Sequence, residues 1–94
     1  MLNHVEIQGK IGNLALAGES NRSFMIHHAR GFGDGADAFN CAVDDERIRQ
    51  YIRDTAQIGR TVIVTGRLRA CRVCSYEIVC ETVDYVDGGG ANAD

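Results

Sequence analysis

From Asn3 to Gly12 the chain alternates, with Val5, Ile7, Gly9 and Ile11 on one side and His4, Glu6, Gln8 and Lys10 on the other. That period of two predicts a half-buried first strand. Asn13 to Arg22 is mixed and holds the loop composition Gly18-Glu19-Ser20-Asn21, after which Ser23 to Ala29, rich in aromatic and branched residues, predicts strand two. A loop through Gly31, Gly33, Asp34, Gly35 and Asp37 leads to a brief third strand at Phe39 to Val43. At Asp44 the spacing turns helical. Asp44 is placed as the cap, Asp45 and Glu46 suit the positive end of the helix dipole, and Ile48, Tyr51, Ile52, Thr55 and Ala56 share one face. Gly59 offers a stop, Thr61 to Leu68 predicts strand four, and a turn between Cys71 and Ser75 leads into strand five, Tyr76 to Val86. Alternation breaks near Glu81-Thr82, the mark of a bulge where a small sheet curls. Phe24, Ile26, Val43, Ile48, Tyr51, Ile52, Val62, Val64 and Leu68 are the expected core.

Three strands, a helix and two further strands is the layout of an all-β, five-stranded OB-fold Greek-key barrel, with the helix between strands three and four. At 94 residues the chain holds one core, so residues 1–87 are expected to form a single domain and Gly88 to Asp94 a flexible Gly-rich tail.

Charge modifies the picture by its distribution. The formal charge of -3 argues against coating nucleic acid by bulk electrostatics. Residues 55–76, however, carry Arg60, Arg67, Arg69 and Arg72 and no acid, whereas residues 77–94 hold acids and no base. A guanidinium pairs with phosphate as a planar fork and also stacks on bases, so a local anion-binding surface is compatible with an acidic total. No apolar run reaches membrane-spanning length and the N-terminus lacks a signal-peptide pattern, which sets the expectation of a soluble, cytoplasmic protein without membrane contact.

Catalytic and metal chemistry find little footing. Cys71-Arg72-Val73-Cys74 has the spacing of half a zinc site or a redox pair, but no second close pair completes it, and Cys41 and Cys80 fall on strands where a small apolar residue suits a core. Buried or free thiols are therefore favoured over zinc, with metal binding or pairing by Cys71 and Cys74 left open. His27 and His28 are adjacent on a strand and point to opposite faces, and Asp44-Asp45-Glu46 is explained by helix capping. No nucleophile-base-orienter set and no phosphate loop is present, so no enzyme activity, cofactor or metal is expected.

The phrases Met1-Leu2-Asn3-His4-Val5-Glu6-Ile7-Gln8-Gly9-Lys10-Ile11, Ala29-Arg30-Gly31-Phe32, Asn40-Cys41-Ala42-Val43, Ile58-Gly59-Arg60-Thr61-Val62, Thr65-Gly66-Arg67-Leu68 and Tyr76-Glu77-Ile78-Val79 resemble, in order, segments of bacterial single-stranded DNA-binding proteins and their primosomal relatives. The resemblance implies an OB-fold that binds single-stranded DNA, with RNA an open alternative, in replication, repair or recombination, as a homodimer or homotetramer. It implies phosphate contacts from Arg30, Arg67, Arg69 and Arg72, and base stacking by Phe32 with Phe39 or Tyr76. The family stacks bases on several rings at roughly 1 to 3 kcal/mol each. Here Ala38 or Phe39, Asp44 and Val73 fall where the other family rings stand, and there is no Trp, so weaker or different binding is expected. Asp87 to Asp94 lacks the acidic-hydrophobic tip by which the family recruits repair enzymes. The alternative is an interaction or oligomerisation module that kept the fold without the ligand.

Overall fold

In the computed structural model, which describes residues 3–14, 23–29, 36–71 and 75–92, the first alternation forms strand β1 (Val5–Leu14). There follow β2 (Ser23–Ala29), β3 (Ala36–Ala42), helix α1 (Glu46–Thr55), β4 (Thr61–Cys71), β5 (Ser75–Tyr85) and a short β6 (Gly90–Asn92). β1 pairs antiparallel with both β2 and β4, β2 with β3, and β4 with β5. The ring closes where β3 runs parallel to β5, Cys41 opposite Ile78 and Ala42 opposite Val79. This is the five-stranded OB barrel expected from the order of elements, with α1 inserted between β3 and β4.

Curling five strands into a ring requires local kinks, and two bulges supply them. In β1, Ile11 pairs with Ile26 and Asn13 with Met25, which leaves Gly12 as an extra residue. In β5, Thr82 pairs with Thr65 and Cys80 with Gly66, so Glu81 is the extra residue, where the sequence alternation breaks. The second bulge has a packing consequence: it flips the parity of the strand, so Ile78 and Cys80 before it and Val83 and Tyr85 after it are all buried. The Thr65 and Thr82 hydroxyls hydrogen-bond across the ladder beside it. Gly66 sits at the same place, and a Cβ there would overlap the carbonyl oxygen of Val79.

The core holds Phe24, Ile26, Val43, Ile48, Ile52, Val62 and Val64 as expected, together with Ile11, Cys41, Ile78 and Val83. Tyr51 is half-buried and packs against it. Leu68 departs from expectation, being 45% exposed. β1 ends at Val5, opposite Gly66, so beyond that point β4 and β5 continue as a two-stranded ribbon with no layer over Leu68. Strand three also begins earlier than expected, at Ala36, because Ala36 to Ala38 pair with His27 to Ala29.

The helix cap is Asp45, not Asp44. The Asp45 carboxylate accepts the Arg47 and Ile48 backbone N–H groups at 2.9 and 3.2 Å, while Asp44 turns to another partner described below. Buried Arg49 anchors the helix start to the end of β3 by donating to the Val43 and Asp44 carbonyls and pairing with Glu46. At the other end, Arg60 lies 3.5 Å above the Tyr85 ring, pairs with Asp87 and donates to the Thr55 carbonyl. Within the expected tail, Gly88 and Gly89 turn with positive φ, and Gly90–Asn92 pairs with Thr82 to Asp84 as β6 instead of hanging free. Those backbone groups find partners on the edge of β5 that β3 leaves uncovered.

Cys41 and Cys80 are both buried. The hydrogen bond between them, and then burial, push the Cys80 thiol well above its ordinary range, which keeps it protonated and unreactive.

Three outcomes follow for stability. Gly66→Ala must displace the hairpin backbone, and a loss of about 2 to 3 kcal/mol in urea unfolding is expected, the scale of overpacking a tight site. Asp45→Ala should cost about 1 kcal/mol in the same titration, the usual value of a lost cap. Cys41 and Cys80 should resist alkylation in the native protein and react once urea unfolds it, as peptide mass mapping will show; labelling of either in the folded state would contradict the packing.

Candidate nucleic-acid interface

The registers fix which end of the barrel carries exposed chemistry. β4 passes β1 at Gly66 and continues to Cys71, and β2, antiparallel to β1, ends at Ala29 on that same side. The end of β2 and the start of β3 therefore lie at the same end of the barrel as the β4–β5 ribbon, which runs on past β1. Position along each hairpin then decides which face a side chain takes, because alternate residues point opposite ways.

On β4, Val62, Val64 and Gly66 face the core, so Leu68 continues that line past the rim, and Arg67 and Arg69 lie on the outward face. On β5, Tyr76 continues the line of Ile78 and Cys80 and is 66% exposed, while Glu77 lies outward opposite Arg69. Tyr76 pairs with Ala70 and Leu68 with Ile78, which makes Leu68 and Tyr76 near neighbours on one side of the ribbon. On the opposing hairpin Phe39 pairs with Ile26 on the core-facing side and is half-buried against the core. Asn3 secures the base of this surface: its side-chain amide donates to the Leu68 carbonyl and accepts from the Leu68 N–H, both at 3.0 Å. In effect it extends the β1 ladder by one rung.

The expected site residues are thus divided. Tyr76 is exposed on the core-side face of the ribbon, Phe39 stands at the rim with its ring partly committed to the core, and Arg67 and Arg69 occupy the ribbon's other face. Arg30, Phe32 and Arg72 lie outside the described residues. The alternation of β4 points Leu68 toward the core, but it gives no sign of where β1 stops covering β4.

Arg69 is not a bare cation. Its Nη1 is 2.5 Å from Asp44 and its Nη2 2.7 Å from Glu77, and its Nε also donates to Glu77 at 2.8 Å. These hydrogen bonds, Asp44 first and Glu77 second, raise the guanidinium further above its already high range. Glu77 could have been found from the hairpin turn, since a turn at Cys71–Ser75 sets it opposite Arg69; Asp44 arrives from the far side of β5 and could not. Among the described residues Arg67 makes no ion pair.

Other constellations are quieter. His28 donates from Nδ1 to the Gln8 carbonyl at 2.8 Å, because a carbonyl can only accept, and the His27 ring lies over Gly12. Both residues line a largely apolar cleft of about 720 Å3 whose other walls include Gln8, Lys10, Ile58 and Thr61. No three His, Cys, Asp or Glu side chains among the described residues are grouped to hold a metal. Cys74 and the side chain of Cys71 lie outside the described set.

No protein-family model and no curated protein matches the chain by sequence. Solved structures do match. The mitochondrial single-stranded DNA-binding protein of S. cerevisiae is 14% identical with a TM-score of 0.76, over 93% of this chain and 97% of that one. A Plasmodium falciparum single-stranded DNA-binding protein, solved in complex with single-stranded DNA, is 21% identical with a TM-score of 0.65 over 100% and 96%. A small single-stranded DNA-binding protein from Streptomyces coelicolor is 17% identical with a TM-score of 0.63 over 95% and 99%. The chain has the barrel fold of these single-stranded DNA-binding proteins.

Proposed function

We propose that the protein binds single-stranded DNA, without catalysis, at the end of the barrel where the β4–β5 ribbon runs past β1. The observation that carries this is Tyr76: a ring 66% exposed beside exposed Leu68, on the side of the ribbon that continues the core, where folding gives neither side chain a partner layer. A flat ring on a two-stranded ribbon is a stacking platform for a base, and Arg67 on the other face supplies a cation without a carboxylate partner among the described residues. The fold shared with proteins solved as single-stranded DNA binders supports the same reading. Arg30, Phe32 and Arg72, placed by sequence resemblance, belong to the proposed contact set, and Phe39 is its partly buried member. With few rings, the binding is weaker than in a family member with a full set of platforms. A homodimer or homotetramer, a cytoplasmic location and a role in DNA replication, repair or recombination complete the proposal.

The test is a fluorescence-anisotropy titration of oligo-dT at several salt concentrations. Wild type should bind at about 50 mM salt and weaken steeply by about 200 mM, as expected when cations on the protein replace counterions on phosphates. Tyr76→Ala should cost about 1 to 3 kcal/mol of affinity while Tyr76→Phe retains it, because stacking needs the ring and not the hydroxyl. Absence of binding at micromolar protein and low salt, with a defined oligomer by light scattering, would instead favour an interaction module built on the same fold.

A further inference from the structure

Both binding edges of the Arg69 guanidinium are occupied by carboxylates of the same chain. Asp44 takes the edge formed by the two terminal nitrogens, at 2.5 and 3.4 Å, and Glu77 takes the edge formed by Nε and Nη2, at 2.8 and 2.7 Å. A guanidinium offers just these two edges to an oxyanion, and a phosphate diester presents the same pair of oxygens that a carboxylate does. One cation faces two anions, so the cluster is negative overall, and the outward face of the β4–β5 ribbon gains no net positive charge from Arg67 and Arg69 together. The cluster is nevertheless reachable: the Arg69 and Asp44 side chains are 41% and 47% exposed. The Asp44 pair is exposed, hence weak and exchangeable, so Asp44 can give way to a phosphate without locking the arginine permanently, while Glu77, 18% exposed, holds the other edge more firmly.

We infer that Asp44 and Glu77 are affinity-setting residues, an internal stand-in for phosphate that withholds Arg69 from single-stranded DNA and leaves Arg67 to supply the cation of the ribbon's outward face. This rests on the proposed DNA binding. The helix is capped by Asp45, and Asp44 meets Arg49 through its backbone carbonyl, which a side-chain change preserves. The consequence is that wild type uses fewer phosphate contacts than its arginine count suggests, and its affinity falls with salt less steeply than that count would give.

The experiment is a cycle of variants measured by the same oligo-dT titration, with folding checked by circular dichroism. Asp44→Asn with Glu77→Gln should bind about three- to tenfold tighter at about 50 mM salt, and its log–log salt slope should steepen by about 0.7, one added phosphate contact to a single strand. Arg69→Ala in the wild-type background removes a charge but no phosphate contact, so it should leave the salt slope unchanged, and in the double variant it should abolish the steepening and the gain, which is the coupling that a cycle isolates. Asp54→Asn with Asp84→Asn removes the same charge from exposed positions away from the cluster and should give a smaller gain. If the double variant does not fold, Glu77→Gln alone is read for a partial gain of the same sign. A gain that survives Arg69→Ala, or no gain in a folded variant, overturns the inference while leaving DNA binding intact. Failure of every protein in the series to bind overturns DNA binding itself.

Discussion

The molecule depends on one parity switch. Strand β5 must serve two neighbours in turn, β3 over its first half and β6 over its second, while β4 follows it throughout. Without an extra residue, strict alternation would bury Ile78 and Cys80 but turn Val83 and Tyr85 outward. Glu81 supplies that residue, and its bulge bends the strand enough to close the ring. The bend brings the Val79 carbonyl so near β4 that only a glycine fits at Gly66. Bulge and glycine are two halves of one device, and the projecting ribbon with Tyr76 and Leu68 begins directly beyond it.

Charge is distributed by the same geometry. Nine arginines in an acidic chain suggest cations held for a ligand, yet Arg49, Arg60 and Arg69 are engaged internally. Arg49 ties β3 to α1, Arg60 ties the far end of the barrel to the β5–β6 turn, and Arg69 sits between Asp44 and Glu77. Each satisfies backbone carbonyls or carboxylates that the closed topology brings together. The basic stretch of residues 55–76 therefore divides into structural and available arginines, and a count of charges along the chain cannot make that division.

Much of the fold was legible in the residues. The alternation of β1, the branched run of β4, the helical spacing after Asp45 and the break at Glu81 are local signals, and each corresponds to an element because burial on one face imposes its period on the sequence. The displaced cap, the exposed Leu68 and the pairing of β6 were not legible. Each depends on where a different strand ends: Asp44 has a competing partner on β4, Leu68 lies past the last rung of β1, and Gly90–Asn92 finds an edge because β3 leaves β5.

By itself, the sequence determined which residues could be buried, the order of strands and helix, and hence a small barrel, since these follow from side-chain chemistry repeated at short range. Tertiary structure alone decided which cations remain available and which face of the ribbon each side chain takes. Arg69 and Tyr76 stand on adjacent rungs of the β4–β5 ladder but lie on opposite faces. The reason is that a side chain's direction follows from its own strand's parity, whereas its electrostatic partners are set by strands far away in the chain that only closure of the ring brings alongside.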